Sequence, residues 1–443
     1  MEWVQNELSG IKLGDERLNK RSVKLLERLA SKPSASIPGA CGGWSETLAA
    51  YRFVGQESLE WHDLLQPHID CTLKRSHHHP VVLCLQDTTE LDFNGQSIEG
   101  LGPLSYEAQR GMYVHPTYAV TPDRLPLGLM DAWMWSREPK EPDGSRPGIV
   151  ESVRWREGYE RVAEVAQTHP ETRWVYVADR EADILDLMQR AYTLGNQADW
   201  LIRSKHNRKL AKDETKLWEQ VEQEAVLGEI TFYLPPRPGR KGRDVTQQLR
   251  CKRIQLGKGR MGKFEVTALL ARERQPPQGE KPVEWRLLTN REAPTLETAA
   301  ELIDWYRCRW EIEVFFNILK NGCKIEALQL STMKRIELAL AFYLMVAWRI
   351  GYLMRLGRTC PDMDCETVFD REEWQAAWIV ARKPLPDKPP TLNEVIHVIA
   401  YFGGFLGRKH DGEPGSKTLW IGLQRVMDFA AGIRAMRESQ NCV

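Results

Sequence analysis

The period of apolar and polar positions changes several times along the chain, and each change marks an element. Over residues 12–32, Leu18, Leu25 and Leu29 share one face, while Arg17, Arg21, Lys24 and Arg28 follow i, i+4, i+7, i+11 on another. That spacing predicts an amphipathic helix with a basic stripe, which suits either DNA contact or a solvated surface. "SKPSASIPGACGG" (31–43) reads as a loop, and "WSETLAAYRFV" (44–54) as a second helix with Ser45 placed to cap it.

From residue 80 the pattern shortens to strand length. "PVVLCLQDTTEL" (80–91) is a buried strand ending in polar residues, and 112–137 is a hairpin around "TPDRLP". Residues 153–170 form a helix stopped by Pro170. Residues 173–195 run strand, aspartate, helix, and 199–209 run from a strand into a basic tail. Between 228 and 290 the chain alternates like sheet and is rich in Gly and Pro, as a β insertion would be. Helices are predicted over 295–320, 333–356 and 371–382, then a stiff linker at 383–390 and two amphipathic helices within 391–439. There are no internal repeats. Strands alternating with helices, with acids at strand ends, imply an α/β domain whose site lies at the carboxyl edge of a mixed sheet.

At 443 residues the chain has room for two to four domains. The 61 basic and 61 acidic side chains cancel, so any affinity for nucleic acid must come from local patches. Two such patches exist. Residues 12–32 hold seven basic against three acidic side chains, and 237–274 hold twelve against three. Arg250, Lys252 and Arg253 lie in the second. Nine scattered cysteines without a CxxC imply reduced thiols, not a disulfide frame or zinc site. The His77–His79 run before a proline reads as a solvated loop before a metal site. The first ten residues lack an apolar stretch, so no secretion signal is expected. The longest apolar run, 338–348, falls short of the roughly 18 residues a bilayer needs, so no membrane span is expected.

The chemistry concentrates in three acids. Asp87 follows "VVLCLQ" and Asp179 follows "WVYVA", each the first acid after a buried strand. Taken singly, either also suits an Asx turn or a helix cap. Glu313 belongs to "DWYRCRWEIEVFFNILKNG" (304–322), where Tyr306, Arg309, Glu313 and Lys320 stand at offsets 0, 3, 7 and 14. Glu313 and Lys320 are two turns apart on one helix face. An ion pair between Arg309 and Glu313 would account for those two residues alone. Three carboxylates with flanking cations suit a hard divalent cation and phosphate oxygens, the machinery of in-line displacement at phosphorus.

The spacing Y-x2-R-x3-E-x6-K resembles the signature of a large bacterial transposase family, the DDE cut-and-paste enzymes of insertion-sequence family four, which includes the Tn-five transposase. "LGDERLNKR" (13–21), "AAYRFV" (49–54), "QDTTEL" (86–91), "DREADI" (179–184), "RSKHNRK" (203–209) and "EWRLLTN" (284–290) resemble that group's other motifs, in order. The resemblance implies an α/β fold: a ribonuclease-H-like catalytic core at 76–357 with a β-rich insertion at about 210–292, a helical DNA-binding domain at 1–75 and a helical dimerisation domain at 358–443. It implies Asp87, Asp179 and Glu313 as catalytic and metal-binding residues for two Mg²⁺ ions, with Mn²⁺ able to substitute. Trp285 and Trp310 would hold an extruded base during hairpin formation, and Arg203 and Lys205 would lie near the cleaved end. The partners implied are double-stranded DNA (end repeats and target) and a second copy of the chain, joined through the helices at 391–439. The location implied is cytoplasmic, on the nucleoid when bound to DNA. The His run and the Pro-rich turn at 235–243 have no counterpart in the family pattern. A ribonuclease-H-like nuclease that does not join strands, and a non-catalytic DNA-binding protein, are the rival readings; the presence of all three acids argues against the second.

Overall fold

The computed structural model describes residues 1–210, 215–235, 241–257 and 262–440, with backbone alone for 437–440. The chain opens with α1 (Glu2–Glu7), α2 (Glu16–Ser31), α3 (Ile37–Ala40), α4 (Trp44–Val54) and α5 (Trp61–Ser76). Helix α2 lies within the predicted 12–32 and carries Asp15 as its cap. Its Leu25, Leu26 and Leu29 are buried. Each such leucine is worth about 1.5–3 kcal/mol, more than any exposed ion pair along the basic stripe. Ser45 is not the cap of α4. The helix starts at Trp44 behind Gly43, whose φ of 152° only glycine adopts comfortably. The loop expected at 31–43 contains the single turn of α3. Helix α5 carries Trp61, Leu64, Leu65, Ile69 and Leu73 at helical spacing, but Pro67, a residue that ordinarily breaks a helix interior, sits inside it.

The sheet begins with β1 (Val81–Gln86), β2 (Thr89–Asp92), β3 (Gly102–Pro103), β4 (Arg110–Val120) and β5 (Pro126–Trp135). Then come α6 (Ser152–Thr168), β6 (Arg173–Ala178), α7 (Leu185–Thr193), β7 (Asp199–Arg203) and α8 (Leu217–Glu222). Four antiparallel strands complete it: β8 (Gly228–Leu234), β9 (Arg243–Leu256), β10 (Phe264–Glu273) and β11 (Glu284–Thr289). All eleven described strands belong to one sheet, ordered β2-β4-β1-β6-β7-β11-β10-β9-β8, with β3 and β5 also paired to β4. The insertion therefore extends the core sheet through the antiparallel β7–β11 pairing instead of forming a layer of its own.

Strands β1, β6 and β7 are parallel and buried on both faces, which explains their near-continuous apolar runs. Leu83, Leu85, Val175 and Val177 point into one core, and Val82, Cys84, Trp174 and Tyr176 into the other. Helices α6 and α7 cover the second face. The first is covered by α5 and by α11 (Met333–Thr359). Helix α11 has the length and apolarity to cross a membrane, but 89% of that stretch is buried inside the protein, where it is the central core helix.

The helix expected over 295–320 is interrupted. It forms α9 (Leu296–Cys308), a break at Arg309, α10 (Trp310–Asn317), and a π-turn at Ile318–Gly322. Such a wide turn rotates the residues within and beyond it off the ideal face, so Glu313 and Lys320 do not share one regular helix. After α11 come α12 (Arg371–Val380), α13 (Leu392–Phe402) and α14 (Ser416–Gln440). Helices α13 and α14 pack on each other, and α14 reaches back to α2 and α11.

Candidate active site and DNA-facing surfaces

Asp87 lies where β1 gives way to β2. Both strands pair with β4, and Asp87 and Thr88 form the unpaired link between them. On the other side β1 runs parallel to β6, with Gln86 opposite Ala178. The next residue of each strand is an aspartate, so Asp87 and Asp179 leave the same sheet edge side by side. Each also accepts a local backbone N–H: Asp87 from Thr88 at 2.9 Å, and Asp179 from Glu181 at 2.8 Å. The turn role read for Asp179 and its place at the sheet edge thus coexist.

Glu313 comes from α10, and Arg309 connects it to the strand edge. One guanidinium nitrogen, Nη1, donates to Asp87 Oδ2 at 2.6 Å, and Nη2 donates to Glu313 Oε1 at 3.3 Å. Burial, opposed by Arg309 and helped by the negative charges of Asp179 and Glu313, raises the Asp87 carboxyl to about 7. Burial disfavours the Arg309 charge, but Tyr306, Asp87, Glu313 and Asp179 outweigh that and hold its pKa above the ordinary value. The three acids thus act on one another around one buried guanidinium.

Tyr306 is buried on α9, and burial raises its hydroxyl pKa while Arg309 and Arg203 pull it down. Lys320 turns to the strand edge: Nζ donates to the Glu90 carbonyl at 2.8 Å and pairs with Glu326 at 3.0 Å. Trp285, on β11, stacks on Phe232 at 5.4 Å and meets Tyr306 edge-on at 6.3 Å. It joins the insertion to the helix bearing Tyr306. Trp310 opens α10 with 48% of its surface exposed. Arg203 ends β7 and donates to the Glu284 carbonyl at 3.4 Å. Lys205 is exposed just beyond.

Asp183 has a structural role that single-residue reading missed. Its buried carboxylate accepts the backbone N–H of Lys205 at 2.7 Å and of His206 at 2.8 Å, and pairs with Arg208 at 2.6 Å. It thereby fixes the loop that carries Lys205. Its only sequence signal was position: a second aspartate four residues after Asp179. Thr88 likewise reaches the buried His115 at 2.8 Å, a link between strands that only the fold creates.

The basic surfaces are more neutralised than their sequence windows suggest. In α2, Arg17 keeps 91% of its side chain exposed and Arg21 is half-buried. Lys24 and Arg28 both grip Glu46 of α4, at 2.5 and 2.9 Å. In the insertion, Lys252 pairs with Glu224 at 2.6 Å and Arg253 with Glu265 at 3.4 Å. Arg250 donates to the Glu224 carbonyl at 3.2 Å. The excess counted over 237–274 is thus corrected: Glu222, Glu224, Glu229, Glu280 and Glu284, all outside that window, fold against its arginines and lysine. Residues 236–240 of the Pro-rich turn and 258–261, with Arg237, Arg240, Lys258 and Arg260, lie outside the described residues.

Among the described residues, no three His, Cys, Asp or Glu side chains stand close enough to hold one ion. Asp87, Asp179 and Glu313 nonetheless fit a hard divalent cation by donor type and by their mutual repulsion, which needs a counter-charge. Arg309 supplies that charge here.

Comparison with known proteins finds three transposase domain matches along the chain. The transposase DNA-binding domain matches residues 1–59, the transposase DDE domain residues 158–349, and the transposase Tn5 dimerisation domain residues 345–442. A solved structure described as a cryo-EM structure of the piggyBac transposase synaptic complex with hairpin DNA overlays with a TM-score of 0.37 and 8% identity, over 81% of this chain and 72% of that one. A DDE domain implies a ribonuclease-H-like core and dependence on a divalent metal. The three domain matches succeed one another along the chain, which belongs to the Tn5-like DDE transposases, enzymes that bind DNA and act as homodimers.

Proposed function

We propose that Asp87, Asp179 and Glu313 are the catalytic carboxylates of this transposase, and that they hold two Mg²⁺ ions, with Mn²⁺ able to substitute. Bound there, the ions would activate the attacking oxygen and stabilise the leaving one. The observation that carries the reading is the in-register exit of β1 and β6 at Asp87 and Asp179, bridged to Glu313 by one guanidinium.

The chain's own side chains would hold the DNA. Arg309, Lys320 and Tyr306 clamp phosphates beside the scissile bond, with Arg203 and Lys205 near the cleaved end. Trp285 and Trp310 offer aromatic faces to an extruded base. In this reading a freed 3′-hydroxyl attacks the opposite strand to give a hairpin. The hairpin is reopened, and the 3′ ends then join target DNA. The N-terminal domain (1–75) contributes Arg17, Arg21, Lys24 and Arg28 to recognition of the end repeats, and the insertion adds Arg250, Lys252 and Arg253. The core spans 76–357. The helices at 391–439 bring two copies together, so that each core cuts the end bound chiefly by the other. The place of action is the cytoplasm, on the nucleoid.

The test uses a duplex carrying the inverted repeats that border the gene. Wild type should nick it, form a hairpin visible on a denaturing gel, and join pre-cut ends to a plasmid. Asp87→Ala should bind the duplex and yield no cleavage. Surviving cleavage would remove Asp87 from the catalytic set, and cleavage by wild type without joining would reduce the enzyme to a nuclease.

A further inference from the structure

We infer that Arg309 is a resident cation that keeps divalent ions off Asp87 and Glu313 until a DNA phosphate takes its guanidinium, so that DNA and metal each promote binding of the other. The inference rests on the reading of the three carboxylates as the metal site.

The geometry leaves little alternative use for the same oxygens. Arg309 Nη1 lies 2.6 Å from Asp87 Oδ2, and Nη2 lies 3.3 Å from Glu313 Oε1. A Mg²⁺ ion on Asp87 Oδ2, at about 2.0–2.1 Å, would stand a few ångströms from the guanidinium, where two positive charges in a buried site repel strongly. The guanidinium keeps only 13% of its side chain exposed, so water is a poor substitute for the carboxylates it would lose. A phosphate is a good one. It carries the charge and presents paired oxygens to the fork of N–H groups. Lys320 faces Glu326 and the Glu90 carbonyl, so it is not the counter-ion of Asp87 or Glu313.

Once a phosphate draws Arg309 away, three acids that repel one another lose their counter-ion, and a divalent cation restores it. Linkage makes the effect mutual: whatever factor DNA adds to metal affinity, metal adds to DNA affinity. Arg309 is a positioning residue here, acting on the carboxylates and not on the reacting atoms. Free enzyme would hold no ion at this site, and the metal centre would assemble only on DNA.

The experiment titrates Mn²⁺ into the full chain and counts free ion by electron paramagnetic resonance, with thermal melts as a folding control. Without DNA, Arg309→Ala should bind Mn²⁺ about tenfold or more tighter than wild type, within the usual range of site-to-site coupling. Arg309→Lys keeps the charge but cannot bridge both carboxylates, and should fall between. It carries the comparison if the alanine variant does not fold. Equal affinity in wild type and the folded variant overturns the inference. Adding a random-sequence duplex, after subtracting Mn²⁺ bound by the DNA alone, should tighten binding in wild type and not in Arg309→Ala. Sequence is immaterial because the guanidinium reads phosphate. Equal tightening in both also overturns it. The double variant Asp87→Ala, Arg309→Ala separates the two levels of reading. If it binds Mn²⁺ as tightly as Arg309→Ala, the ion is not on Asp87, and the metal-site reading itself fails.

Discussion

Glu46 is the residue whose removal tests the N-terminal DNA surface most directly. Its carboxylate holds Lys24 at 2.5 Å and Arg28 at 2.9 Å, and accepts the Gly42 N–H at 2.9 Å. Arg28 and Lys24 together hold its pKa down at about 2, so both pairs persist throughout the neutral range. In Glu46→Gln the two cations lose their internal partner and become available to phosphates. Each phosphate neutralised adds about 0.9 to the slope of log K against log salt, so two add about 1.8. Between 50 and 200 mM salt, a fourfold change, that is an extra loss of about twelvefold, set against stronger binding at the low-salt end. The folding cost should be small, about 0–1 kcal/mol per surface pair. Fluorescence anisotropy of a labelled end duplex across that salt range, on the full chain, reads both effects. An unchanged slope with an intact fold would show that Glu46 does not hold Lys24 and Arg28 back from DNA phosphates, and would refute the reasoning.

Two other perturbations have equally definite outcomes. Charge reversal at Arg250, Lys252 and Arg253 should weaken DNA binding less than reversal at Arg17 and Arg21, because Arg17, though paired with Asp15, keeps 91% of its side chain exposed, whereas Lys252 and Arg253 keep 32% and 37% and face glutamates; no change at all would take the insertion face out of the interface. Glu373 is buried on α12, and burial, with Asp370 beside it, lifts its carboxyl to about 7, above its unfolded value. The folded state therefore holds a proton that the unfolded state has lost, and stability falls by about 1.4 kcal/mol per pH unit between the two values. Glu373→Gln should accordingly raise the melting temperature at pH 8 and leave it nearly unchanged at pH 4; an equal effect at both would exclude titration of this group as the cause.

Much of this architecture was legible in the one-dimensional pattern. Parallel strands buried on both faces need long apolar runs, so β1 and β6 announced themselves, and the first acid after each run fell at the sheet edge. The basic stripe of α2 comes from helical period alone. The offsets of Tyr306, Arg309, Glu313 and Lys320 marked the third acid, although the break at Arg309 and the π-turn after Asn317 were invisible. Helix period is a local property, and the interruption depends on how 304–322 packs against the strands. The helix over 61–76 was hidden by Pro67, which tertiary packing tolerates.

What only the fold decided is who pairs with whom. Arg309 and Asp87 are separated by 222 positions, and no periodicity connects them. The same holds for Lys24 with Glu46, Lys252 with Glu224, and Asp183 with the loop after β7. Secondary structure is encoded by neighbours a few residues apart, and the sequence shows it directly. Charge neutralisation and the raised carboxyl of Asp87 come from burial and from partners distant along the chain, and those exist only once the sheet has closed its register.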